Sequence, residues 1–468
     1  MNLRAIFYYT GLFIIPITFL SLLNILFSSY YNYFLNIDSY IITFFISILL
    51  SSFLIYPGRH CQKEINFLEQ LILTLNIFFF IPLLISIPFY LSNYNITFLN
   101  SYFESVSGFT STGFSIFENI KYLDPTLIIW RSSSQWIGGM YFIFFLIMFF
   151  SSTKTEFKLT NYVFNPDKSS NVAINFKKTS LKVFFLYSSS TLLIFILLSI
   201  FDIRLFNSLN LSMTLISSGG FMPTTSLNQI IKTNPQKIIF IFSLLLSTMN
   251  IYILYNIFFK NKFKSHHEDF YILLLGASLS VLFFLLIGGV NFLDITISTL
   301  SSLTTSGLSL IKVPYNFSFL LILITLLGGS ILSASSGLKF LRLYILIKAT
   351  IFEILALVKP NNIMNKNILN SEQKITLNNT KNAFFIFISF FISLFLLSII
   401  LLIDDFNFEN SFKLSILTLT NTVDSPMFGL DSINFKSLLT SSKISIIIFM
   451  IIAKIELISI FIIVKEIL

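Results

Sequence analysis

The chain has 468 residues, of which 55% are hydrophobic and 11% charged, with a mean hydropathy of +0.84 and a net charge of +9. That composition excludes a soluble globule, whose surface must be covered with polar groups. Cys61, the single cysteine, excludes an internal disulfide framework and a cysteine-rich metal site. The chain reads as an integral, all-α membrane protein of about ten spans.

Apolar windows predict spans over 5–27, 39–56, 70–91, 126–150, 181–201, 237–259, 271–290, 317–350, 383–403 and 443–467. These lengths suit roughly 30 Å of hydrocarbon at 1.5 Å per residue. The first window is too long for a signal-peptide core and lacks a small-residue cleavage pattern, so it is expected to be retained. The 317–350 window exceeds one span and contains the polar interruption GGSILSASSG at 328–337. Broken backbone at membrane depth must face a cavity or protein, not lipid.

The first two spans stand outside a repeat, and the other eight fall into four pairs. Between the members of each pair lies a Ser/Thr-rich segment: SVSGFTSTGFS (105–115), LSMTLISSGGF (211–221), ISTLSSLTTSGL (297–308) and KLSILTLTNTVDSPMFGL (413–430). The expected units are 1–60 for the two extra helices, then pore repeats over 61–152, 175–264, 265–358 and 375–468. With the N-terminus inside, 21 of the 30 Lys and Arg fall on the inner side. Inner loops rich in lysine occur at 154–182 and 260–264, suited to a docked partner or to anionic lipid heads. The four segments then enter from the outer face.

Four copies of helix, polar hairpin and helix suggest a four-fold pore lined by backbone oxygen. A dehydrated K+ ion needs oxygens at fixed spacing, and carbonyls supply them without a full charge that would trap it. Turning carbonyls inward demands unusual dihedrals, which glycine adopts at little cost. A short preceding helix aims its negative end at the ion path. The first three segments fit, and their candidate filter residues are Ser111, Thr112 and Gly113, then Ser218, Gly219 and Gly220, then Thr305, Ser306 and Gly307. Glu104 either stabilises the filter and concentrates cations or is a rim residue bonded to a neighbouring loop. Arg131 and Gln135, four apart on one helix face, are expected to tie that helix to the loop above.

Three motifs in order resemble the TrkH/KtrB/HKT superfamily of potassium transporters, and most closely its TrkH branch. WRSSSQWIGGM (130–140) resembles the family's WRS-x-x-QW-x-GGMG run. LGGSILSASSGLKFLR (327–342) resembles its GG-x-x-GSTAGGIK-x-x-R loop, and AKIELISIF (453–461) its final GR-x-E-x-x-T segment. The two extra N-terminal spans are also a TrkH trait. The resemblance implies a single narrow K+ site at the filter glycines and an intramembrane gating loop beneath it. That loop would comprise Gly328, Gly329, Ser333, Ser335, Ser336, Gly337 and Lys339, with Lys454 where the family has a barrier Arg. It further implies a homodimer in the bacterial cytoplasmic membrane, with a TrkA-like cytosolic nucleotide-binding regulatory subunit below. The fourth segment departs from the pattern. From Thr422, Val423 and Asp424, either Asp424 replaces the filter glycine or, counting back from Gly429, Met427 does.

No phosphate-binding glycine loop or dinucleotide fingerprint is present, so the energy for transport must come from a gradient, the membrane potential or a partner. K+ is expected as the bound, transported ion, with no other cofactor, no catalytic residues and no nucleic-acid partner. The alternatives are Na+ or mixed-cation transport, the potassium-binding subunit of an ATP-driven complex, and a multi-pass membrane enzyme. The last would need clustered ionisable groups at one interface.

Overall fold

A computed structural model describes residues 2–59, 65–151, 172–251, 253, 267–358, 367–369, 374–404, 406–430 and 433–455. Cys61, the lysines at 154–168 and 260–264, and everything after Ile455 lie outside the described residues. Among the described residues the regular secondary structure is helical, apart from one isolated bridge between Asn367 and Lys374.

Two helices, α1 (Leu3–Tyr31) and α2 (Ile37–Gly58), come first. Along α2 a stripe of buried Ser39, Thr43, Ser47 and Ser51 recurs every fourth residue. These hydroxyls bond back to carbonyls of their own helix, for example Thr43 to Ser39 O at 2.7 Å. They therefore cost little in lipid, and small residues let helices approach closely. At Gly11 a Cβ would stand 3.0 Å from Ser51 O, and at Gly58 2.4 Å from Tyr8 Cβ.

Four units follow. The first is α3 (Phe67–Tyr90), α4 (Phe98–Phe109) and α5 (Pro125–Ser151); the second is α6 (Val172–Ile200), α7 (Leu205–Ile216) and α8 (Asn234–Thr248). The third is α9 (His267–Ile287), α10 (Phe292–Leu303), α11 (Tyr315–Leu327) and α12 (Phe340–Val358). The fourth is α13 (Leu377–Leu401), α14 (Phe408–Leu419) and α15 (Thr440–Ile455). The short helices α4, α7, α10 and α14 each contain 12 residues. Six of the described helices are long and apolar enough to cross a bilayer. The polarity is that of a multi-pass membrane protein: large apolar side chains such as Phe53 and Leu285 are exposed, while Ser105, Thr112, Thr304 and Thr418 are fully buried.

The expected 317–350 window divides into α11 and α12 around a loop. The 237–259 window is interrupted as well, because α8 ends at Thr248. Thr248 O accepts the N–H of Ser330 at 3.0 Å, so this carbonyl serves the interrupted segment of unit three. Packing runs round the ring: α5 on α6 and α7, α8 on α10, α11 on α14, and α15 on α3 and α4. Units two and four therefore face each other across the centre.

Glycines in WRSSSQWIGGM let α5 wedge between two short helices. A Cβ on Gly138 would stand 1.8 Å from Phe109 O at the end of α4, and one on Gly139 2.7 Å from Ser217 Cβ beyond α7. Backbone cannot retreat as a side chain can. Gly138→Ala should therefore cost at least about 3 kcal/mol and yield aggregated or strongly destabilised protein. Gly139→Ala, facing side-chain atoms, should cost less. Thermal unfolding in detergent checks both.

Candidate functional site

Each short helix ends in the same local structure. Ser111, Ser218, Thr305 and Asn421 have φ of 61°, 55°, 60° and 49°. A left-handed residue commonly terminates a helix, but glycine normally takes that place. Four non-glycine residues held there mark a backbone over-determined by its surroundings. The next residue then bonds five back: the N–H groups of Thr112, Gly219, Ser306 and Thr422 reach Ser107 O, Thr214 O, Ser301 O and Leu417 O at 2.9, 2.8, 3.0 and 2.9 Å. Hydroxyl pairs brace three of the turns: Thr110 with Thr112 at 2.7 Å, Thr304 with Ser306 at 2.9 Å, and Thr420 with Thr422 at 2.9 Å.

Counting one residue on, Gly113, Gly220 and Gly307 come into register with Val423. This corrects the expectation for the fourth segment. Neither Asp424 nor Met427 occupies the glycine position, because the left-handed turn and its five-back bond fix the register at Asn421 and Thr422. Asp424 is the following residue and is partly exposed. Met427 is buried in a short turn, where Ser301 Oγ approaches its Sδ at 3.9 Å.

The four positions converge. A Cβ on Gly113 would stand 2.8 Å from Gly220 Cα, one on Gly220 2.4 Å from Val423 Cβ, and one on Gly307 2.8 Å from Val423 Cγ1. The C-terminal ends of four short helices thus bring their partial negative charge to one centre. Ser111 Oγ and Ser218 Oγ are buried with no protein partner among the described residues, which leaves them for water or a cation.

Gln135 and Arg131 do tie α5 to the loops. Gln135 Oε1 accepts Phe221 N–H at 3.2 Å and fills the space a Cβ on Gly219 would need. Arg131 Nε meets Glu104 Oε1 at 2.8 Å, its Nη2 donates to Ser115 Oγ at 2.9 Å, and its guanidinium lies 4.1 Å from the Phe221 ring. Glu104 Oε2 also accepts Ile116 N–H at 2.8 Å. Glu104 is thus bonded to the neighbouring loop and fixes the segment leaving Gly113. Asn421 was not anticipated: its Nδ2 donates to Thr112 Oγ1 and to Met450 O, both at 3.0 Å, joining units one and four.

Residues 328–339 form a loop between α11 and α12, directly against one of these turns: Ser336 N–H donates to Thr305 Oγ1 at 3.0 Å. Gly328 and Gly337 have φ of 62° and 81°, and a Cβ on Gly337 would stand 2.8 Å from Thr325 O. Gly329 N–H donates to Ser335 Oγ at 2.9 Å, and Ser333 and Ser335 pair through their hydroxyls at 2.7 Å. Glu268, also missed, accepts Ile331 N–H at 3.1 Å. Lys339 lies inside the loop, with Nζ 3.2 Å from Ser330 O and 3.3 Å from Ser333 O, and it also contacts Ser335 O. Lys454, on α15, is buried and donates to Ser336 Oγ at 3.0 Å and Ala334 O at 3.4 Å. Both ammonium groups lie over the Phe142 ring, at 5.5 and 4.6 Å.

A scan against protein-family models finds no match. Curated relatives are found nonetheless. An uncharacterized cation transporter of Methanocaldococcus jannaschii is 26% identical over 69% of this chain and 67% of its own length. The Trk system potassium uptake protein TrkH of Salmonella typhimurium is 24% identical over 68% of this chain and 70% of its own. The crystal structure of the potassium transporter TrkH from Vibrio parahaemolyticus superposes with a TM-score of 0.84, at 18% identity, over 99% of this chain and 98% of that one. The chain is similar in sequence to TrkH proteins and shares the fold of a TrkH structure. Its relatives are named as transporters, not enzymes, and the TrkH fold extends over both N-terminal helices and all four units.

The buried Glu104–Arg131 pair yields a stability prediction for this TrkH-like fold. Glu104→Gln leaves the guanidinium charge buried without its counter-ion, a change of about 3–5 kcal/mol. Glu104→Met combined with Arg131→Met should cost less than Glu104→Gln alone, because no lone charge remains. A double-mutant cycle by thermal unfolding checks the sign and size of the coupling.

Proposed function

We propose that this chain is a Trk-type potassium transporter of the bacterial cytoplasmic membrane, passing K+ inward through the centre of its four units. The observation that carries the reading is the convergence of four turns with the same left-handed residue on Gly113, Gly220, Gly307 and Val423. Backbone oxygens, helix ends and small polar side chains meet there. Ser111, Thr112, Ser218, Gly219, Thr305, Ser306, Thr422 and Asp424 belong to the same turns. The relatives named as potassium uptake proteins support K+ as the cargo. A second reading, Na+ or mixed-cation passage, is favoured by one observation: the fourth turn carries valine, so the ring is not four-fold in chemistry.

In this proposal residues 328–339 are the gate. The loop touches the turn at Thr305, and two buried ammonium groups stand within it or against it. At 4 Å and an effective dielectric near 20, one such charge repels a K+ by roughly 4 kcal/mol, and a wet pore lowers that figure. Lys454 points into the loop and does not snorkel to the inner surface. A homodimer with a TrkA-like nucleotide-binding ring below it completes the proposal, its docking surface the lysine-rich stretches at 154–182 and 260–264.

Complementation of a potassium-uptake-deficient bacterium at low external K+, followed by Rb+ and Na+ flux in proteoliposomes, tests the cargo. Growth rescue with Rb+ flux above Na+ flux supports K+; equal fluxes support the mixed-cation reading. Gly113→Val should abolish most uptake, since φ is 94° there and a Cβ would strike Gly220 backbone at 2.8 Å. Deleting part of 330–336 should raise flux several-fold, and Lys454→Ala less. A folded, inserted deletion that conducts no faster than wild type would remove the loop from the gating role.

A further inference from the structure

Val423 stands where three other quarters of the ring have glycine, and its side chain has consequences for passage. The three glycines are buried, while Val423 is partly exposed. Its Cβ lies 2.4 Å, and its Cγ1 2.8 Å, from where a Cβ on Gly220 would stand. Unit two faces unit four across the centre, so the isopropyl group abuts the opposite unit. Its Cγ1 also lies 2.8 Å from the Cβ position of Gly307. The side chain is therefore lodged between an opposite and an adjacent quarter.

We propose that Val423 limits both the rate and the selectivity of cation passage in this chain, its isopropyl group capping the ring formed by Gly113, Gly220 and Gly307. The inference rests on the cation-passage reading above. An ion entering the ring must exchange water for oxygen ligands on all sides. Three quarters bring backbone with no side chain. The fourth brings an apolar group that offers no lone pair and occupies the space the ion must cross. A β-branched side chain has few rotamers, so it does not readily swing clear. Its backbone is not strained: unlike Gly113 and Gly307, Val423 does not have a positive φ. Replacement by glycine or alanine therefore removes the cap without forcing a new backbone shape.

The test is Rb+ and Na+ flux in proteoliposomes for wild type, Val423→Gly, Val423→Ala and Val423→Ile. Each is measured with the loop intact and with residues 330–336 deleted, so that a closed loop cannot mask the ring. The expected order is glycine, alanine, valine, isoleucine, with Val423→Gly at least tenfold faster than wild type for Rb+ and its Rb+/Na+ ratio raised. Melting temperatures within a few degrees of wild type exclude general loosening. If Val423→Gly does not fold, the alanine and isoleucine variants carry the comparison in opposite directions. Wild-type flux that is unchanged across the series overturns the cap while leaving transport intact. Folded protein that passes no cation in any variant overturns the transport reading itself.

Discussion

Backbone that leaves the helix at membrane depth has no water to turn to, and every polar group on it must be satisfied within the protein. Among the described residues the chain departs from helix in this way at the four turns and the 328–339 loop, and much of its packing follows from supplying their partners. Each short helix offers a carbonyl five residues back. Threonine and serine hydroxyls bond to carbonyls one turn earlier, as Thr110 does to Val106 O at 2.8 Å. Where unit two lacks a hydroxyl at Gly219, Gln135 arrives from α5 instead. That supply requires α5 to lie very close, which is what Gly138 and Gly139 permit. The shortened α8, the glycines of α5 and the serine-rich short helices are thus answers to one requirement.

Charge is handled in two different ways. Glu104 and Arg131 neutralise each other and spend their remaining bonding capacity on Ser115 and Ile116, so the pair acts as a bracket for the segment beyond Gly113. Lys339 and Lys454 are held mainly by carbonyls, hydroxyls and an aromatic face. Dipoles and a ring quadrupole stabilise an ammonium. The first arrangement builds a rigid scaffold. The second places two ammonium groups on the loop that touches the turn at Thr305, with the Glu268 carboxylate bonded to the same loop.

Much of this was legible in the sequence because membrane folding writes strong local signals. Ten apolar windows, the Ser/Thr-Gly turns and the polar break at 328–337 each follow from short-range chemistry. The link from Gln135 to its loop followed from helical spacing. The fourth turn was misjudged for a physical reason: its register is set by the left-handed φ of Asn421 and the bond from Thr422 to Leu417 O, and neither leaves a glycine behind in the sequence. Thr248 was missed because it lies in another unit, and Glu268 because it precedes Ile331 by 63 residues; only folding brings them to the loop. Asn421 was missed likewise, since its partners are Thr112 and Met450, hundreds and tens of residues away.

The ring is less symmetric than the repeat that builds it. Gly113 and Gly307, in facing units, have φ of 94° and 71°, whereas Gly220 and Val423 are not in the positive range. A side chain at Gly113 or Gly307 would meet a strained backbone as well as a neighbour. At Gly220 the backbone would tolerate one, but Val423 already fills the space. At 423 both conditions are met, provided the position opposite stays glycine. The geometry therefore accommodates a single branched side chain in the ring, on the pair of units whose backbone does not demand glycine. Val423 and Gly220 must then be treated as one coupled position, since enlarging either is possible only at the expense of the other.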